Sequence, residues 1–164
     1  LAGIMHRGLK IVSGGQTGVD TAALEFARAH GIPYGGWVPK GRTNEDGLIP
    51  DHLSGLSESE SQDVAVRTKL NVMSSDATLI FVDGSASPGT QKTVVFAVEA
   101  QKPHLVIDVR QGIADCAQQL RAWLDANSIA VLNIAGPRAS EALGIDLRVS
   151  EILNACLERF VQPK

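Results

Sequence analysis

The sequence predicts an α/β fold of the three-layer, Rossmann-like kind: an open, mostly parallel five-stranded sheet with helices on both faces. Three observations carry this. Strand-length apolar runs alternate with segments of helical periodicity five times along the chain. The runs show little polar alternation, as in strands covered on both sides. The loops richest in small residues each follow a strand and lead into a helix, where open parallel sheets bind ligands.

Leu9 to Ser13 reads as a short buried strand, and Val19 to His30 as a helix stopped at Gly31. Pro33 to Val38 is a weaker strand, interrupted by Gly35 and Gly36. Pro39 to Gln62 is rich in Gly, Pro, Ser and acids and reads as a long functional or mobile loop; the rival reading hides a short helix around Asp51 to Leu56. Asp63 to Ser75 is a helix with Val66, Leu70 and Met73 on its apolar side. Ala77 to Val82 is a strong strand, Thr90 to Gln101 a helix stopped by Pro103, and His104 to Val109 a fourth strand. Ile113, Ala117, Leu120 and Leu124 mark the next helix, and Ile129 to Ile134 a fifth strand. The last helix carries Val149, Ile152, Leu153, Cys156 and Phe160 on one face. The expected strand order is 2-1-3-4-5, with strands one and three adjacent at the ligand crevice; an order with one and four adjacent is the alternative.

The 164 residues fit a single ligand-binding domain, with residues 1–8 expected to be flexible or left over from expression. Apolar residues make up 44% and charged residues 20%, the balance of a globular chain. A net charge of -3 leaves no basic footprint and argues against nucleic acid as a partner. No membrane-length apolar run and no signal peptide are visible, so the expected location is cytoplasmic. Cys116 and Cys156 fall on apolar helical stripes and read as buried free thiols.

The chemistry concentrates in four loops. Ser13-Gly14-Gly15-Gln16-Thr17-Gly18-Val19-Asp20 follows the first strand. Its glycines allow close approach of an anion, and the following helix offers unpaired N–H groups at the positive end of its dipole. The bland reading makes Thr17 an N-cap and Asp20 the N3 partner of a capping box; both readings can hold. Asp83-Gly84-Ser85-Ala86-Ser87-Pro88-Gly89-Thr90 follows the third strand, with Gly84, Gly89 and Thr90 as candidate contacts and Thr90 as N-cap. Gly136-Pro137-Arg138-Ala139-Ser140 follows the fifth strand, with Pro137 suited to a helix start and Arg138 to an anion clamp. After the second strand, Trp37 offers a stacking face, Lys40 and Arg42 offer cations, and Glu45 with Asp46 offers acceptors. The four histidines are scattered, and no nucleophile triad or metal-ligand spacing appears, so the sequence shows a binding site more clearly than a reaction.

The first loop, the run Gly35-Gly36-Trp37-Val38-Pro39-Lys40-Gly41-Arg42 with Glu45-Asp46-Gly47, and Asn133 to Arg138 with Ser140 resemble the bacterial molybdenum carrier family over nearly the whole chain. That family is Rossmann-like and related to the lysine-decarboxylase-like proteins, which include nucleotide phosphoribohydrolases and molybdenum-cofactor carriers. The resemblance implies a carrier of molybdenum cofactor, a pterin with a terminal phosphate, or of another phosphorylated heterocycle such as a nucleotide. The four loops together place the ligand against Gly14, Gly15, Gln16, Thr17, Gly18, Trp37, Lys40, Gly84, Gly89, Thr90, Gly136, Arg138 and Ser140, and the resemblance implies a homo-oligomer. The hydrolytic relatives carry Pro-Gly-Gly-x-Gly-Thr-x-x-Glu. Here Ser87-Pro88-Gly89-Thr90-Gln91-Lys92-Thr93 puts Thr93 where that Glu stands, which favours holding a ligand over cleaving it. The alternatives are a phosphoribohydrolase-type enzyme, with Asp20, Glu45 or Asp46 as acid–base candidates, and a nucleotide-sensing domain.

Overall fold

A computed structural model describes residues 8–161 of the chain, so all but the last residue of the 1–8 segment expected to be flexible or left over from expression lies outside the described residues. The central sheet is parallel and five-stranded. It is built from β1 (Lys10–Val12), β2 (Tyr34–Gly35), β7 (Ala77–Val82), β8 (His104–Asp108) and β9 (Val131–Ala135). The helices are α1 (Val19–Ala29), α2 (Val64–Met73), α3 (Pro88–Glu99), α4 (Ile113–Ala126) and α5 (Ile145–Ala155). The expected fold class is thus the observed one.

The strand order is β2-β1-β9-β7-β8. It corrects the expected 2-1-3-4-5: the last strand inserts between the first and third, where Leu132, Asn133 and Ile134 are all buried. Ala77, Leu79 and Phe81 of β7, with Leu132 and Ile134 of β9, point into the main core, which is closed by α1, α4 and α5. The residues between them turn to the other face, because side chains alternate along a strand. That second face carries buried Thr78 and Asn133, linked by a 3.4 Å hydrogen bond, and α3 packs on it with α2 alongside.

The expected second strand is split at Gly36. Tyr34–Gly35 joins the main sheet, whereas β3 (Trp37–Val38) pairs with β6 (Ser57–Glu58). Between these last two lies the hairpin of β4 (Thr43–Asn44) and β5 (Gly47–Leu48). The 39–62 segment is therefore folded against the body: Val38, Ile49 and Leu53 form a second small core with Leu24 of α1. No helix forms at 51–56; a turn closed by Leu53 N–H on the Pro50 carbonyl stands there.

Helix boundaries also shift. Ser87, not Thr90, caps α3, with Pro88 in the first turn and Thr90 buried inside it. No helix starts at Pro137; the 136–144 stretch lies across the start of α1, and α5 begins after Gly144. The expected apolar side of α2 faces outward in part. Val66 and Met73 are exposed while Asn71 and Val72 are buried, since the face turned to the sheet supports a polar site. The last helix ends at Ala155, and a 3-10 turn brings Phe160 into the core.

Candidate functional site

A crevice of about 300 Å³ opens at the carboxyl ends of β9 and β7. The chain leaving β9 leads to α5 on one face of the sheet, and the chain leaving β7 leads to α3 on the other. Ligands bind open α/β sheets where successive connections diverge in this way. The floor is the polar end of β9, Asn133 to Gly136; one wall is the first turn of α3, and the opposite wall combines Gly14, Gln16 and Asp20 with Arg67 of α2. A helix N-terminus, glycine backbone and guanidinium groups in one concavity make a setting for an anion.

The structure brings six of the expected residues to this lining: Gly14, Gln16, Gly89, Thr90, Gly136 and Arg138. The remainder of the first loop holds the site together. Thr17 is not a cap; its hydroxyl donates to Glu45 and accepts from the Ala139 N–H at 3.1 Å. Gly18 precedes α1 at φ 77°, and a Cβ there would lie 2.6 Å from the Pro137 carbonyl. Gly15 backs onto Val38 and Ile49. The expected Thr17–Asp20 capping box is thereby replaced: Asp20 accepts from the Gln16 N–H at 3.2 Å, and the Val19 N–H is taken by the Pro137 carbonyl at 3.3 Å.

Trp37, Lys40, Gly84 and Ser140 stand outside the lining. Trp37 is clasped through its backbone by Asn71, whose side chain accepts from the Trp37 N–H at 2.7 Å and donates to its carbonyl at 3.0 Å. Lys40 is exposed, with its N–H on the Ser61 carbonyl. The Gly84 N–H donates to Asp108, across the end of the sheet. Ser140 donates through backbone and hydroxyl to Glu45. Glu45 therefore ties the 39–62 segment to both Thr17 and Ser140. These hydrogen bonds, that of the Ser140 hydroxyl foremost, hold its carboxyl below the usual range.

Sequence reading missed Arg67 and Lys92. Arg67 lies in mid-helix, where a cation ordinarily signals a solvated face. Here its side chain is only 12% exposed, Nη1 donates to Asp20 at 3.3 Å, and Nε is buried without an acceptor among the described residues. A Cβ at position 14 would sit 2.0 Å from that Nη1, so the glycine leaves room for the guanidinium to lie against the loop. The one available signal was the weak apolar side of α2. Asp20 is 3% exposed, and burial pushes its carboxyl up against the opposing pull of Arg67. Thr93 lines the crevice, its hydroxyl donating to the Gly89 carbonyl at 3.3 Å.

Among known proteins, residues 11–157 match the model of the circularly permutated YpsA SLOG family. A crystal structure from Syntrophus aciditrophicus SB, of a protein named "Putative molybdenum carrier protein", is 45% identical to this chain. The match covers 92% of this chain and 95% of that one, with a TM-score of 0.88. The curated proteins contain no match.

Proposed function

The chain belongs to the circularly permutated YpsA SLOG family, and on that premise we propose that it binds and carries a small phosphorylated heterocycle, molybdenum cofactor first and a nucleotide second. The observation that carries the reading is the crevice itself: a concavity at the divergence of two connections, lined by the α3 N-terminus, two guanidinium side chains and glycine backbone. This donor set fits the phosphate end of such a ligand. Gly14, Gln16, Gly89, Thr90, Gly136 and Arg138 would hold it, with Arg67 as the buried cation. Among the described residues no group of His, Cys, Asp and Glu is arranged to hold a metal ion. The name of the Syntrophus protein supports the molybdenum link, and the resemblance to the hydrolytic relatives' motif, which puts Thr93 where their Glu stands, supports carriage over cleavage.

Thermal melts with isolated molybdenum cofactor, AMP and GMP test the reading. A carrier gains stability by RT ln(1 + [L]/Kd) and returns its ligand intact. Absence of any shift defeats it. Release of free base from AMP, lost in Asp20→Asn, would instead establish the hydrolase, for which the buried Asp20 in the crevice is the supporting observation.

A further inference from the structure

The crevice already contains an anion of its own. Asp20 Oδ2 sits 3.2 Å from the Gln16 N–H and 3.3 Å from Arg67 Nη1, and a Cβ on Gly14 would lie 2.9 Å from it. The carboxylate thus occupies the turn of the Gly14–Gln16 loop, at the first turn of α1, paired with the most buried cation of the lining. Those are the groups an incoming oxyanion needs. We propose that Asp20 is an internal competitor for the anionic end of the ligand: its carboxylate holds the Gln16 N–H and the Arg67 guanidinium, and a phosphate, sulfate or phosphomonoester binds by taking them from it. The inference rests on the crevice being the anion site.

The physical argument is one of charge and room. A dianion placed on Arg67 stands within a few ångströms of the Asp20 carboxylate, and like charges at that separation in a poorly solvated site repel strongly. Two outcomes relieve the repulsion: the side chain swings away, or the carboxyl takes up a proton. The other charged groups lining the crevice are Lys92 of α3 and Arg138 with Glu141 of the β9–α5 connection. Glu45 is held one hydrogen bond away on Thr17. Arg67 is the group that touches Asp20, so the competition is local to this pair.

Titration calorimetry with sulfate, which does not change charge near neutral pH, and with AMP tests the proposal. Asp20→Asn keeps an acceptor for the Gln16 N–H and removes the charge; it is expected to bind sulfate and AMP about tenfold tighter or more. Arg67→Gln in that background is expected to abolish the gain. Glu151→Gln removes one exposed negative charge from α5, outside the lining, and is expected to give a much smaller gain. Repeating the wild-type sulfate titration in buffers of different ionisation enthalpy reads proton uptake without any variant, should Asp20→Asn fail to fold. Uptake there, or a tighter Asp20→Asn, supports the competitor. A folded Asp20→Asn that binds no tighter than wild type, or an equal gain in Glu151→Gln, overturns it while leaving the anion site standing. Failure of every folded protein to bind either probe overturns the site and the competitor together.

Discussion

Gly36 has φ 126°, and its missing Cβ leaves room for the Ser13 carbonyl, which that atom would approach to 2.2 Å. One residue thus sends the chain from the main sheet into β3 while letting it cross the first loop. Gly36→Ala combines a strained backbone with a clash against main chain, and is expected to cost at least about 2 kcal/mol by urea unfolding. Asp108 carries a different prediction. Hydrogen bonds from the Arg110 side chain and backbone hold its carboxyl down, from 3.8 to about 2. A carboxyl lowered in the folded state adds stability above its unfolded pKa and loses it as pH falls through the folded one. The stability gap between wild type and Asp108→Asn is therefore expected to close between pH 4 and 2, as read from acid-dependent melts. Residues of this sort divide by legibility. Gly36 was visible as a break in an apolar run. Arg67 was not, because nothing in a sequence distinguishes a guanidinium folded onto a distant glycine from one in water.

At the scale of elements, α2 depends on a residue from another helix–strand connection. Lys102 Nζ donates to the carbonyls of Val72, Met73 and Ser75, at 3.2, 2.5 and 2.6 Å, closing the C-terminal end of α2 with a positive charge. Lys102→Met leaves these acceptors to water and is expected to lower stability by about 1–3 kcal/mol in chemical denaturation. It is also expected to weaken anion binding, because α2 carries Arg67. The five main strands and five helices were legible because burial on two faces and helical periodicity are written into local residue order. Their ends were less so: Thr90 looked like a cap until Ser87 took the role, and Pro137 looked like a helix start although the turn it begins lies against Gly18. The 39–62 segment read as a loop because its strands are two residues each, too short for any period to show.

For the molecule as a whole, strand order is the property that local pattern cannot supply, since it is decided by which buried strand outcompetes the others for the centre. Moving β9 to the front of the chain and renumbering turns β2-β1-β9-β7-β8 into 3-2-1-4-5, the doubly wound order. The permutation in the family's description is thus visible in the sheet, and it explains why the crevice lies beside the last strand. The same scale holds an exposed apolar surface. Val66 and Met73, on one face of α2, and Val95 and Val98 of α3 are all exposed on two helices that pack together. Apolar side chains gathered in this way mark association surfaces. We expect self-association through this face, with Val98→Lys and Met73→Lys shifting the mass seen by light scattering toward monomer. An unchanged mass would remove the face from consideration. Among the described residues no helix is long and apolar enough to cross a membrane.

Asn71 touches two things at once: it lines the crevice, and its amide grips Trp37 by both backbone groups. The indole is thereby an optical probe wired to the cavity through a single side chain. Any ligand that shifts α2 must move the fluorophore's own peptide unit, and its emission should respond without direct contact. The chain's other tryptophan, Trp123, packs against the main core from α4 and supplies the background. In Trp123→Phe the remaining emission is expected to change in intensity or wavelength on saturation with anion, and Asn71→Ala is expected to silence that response.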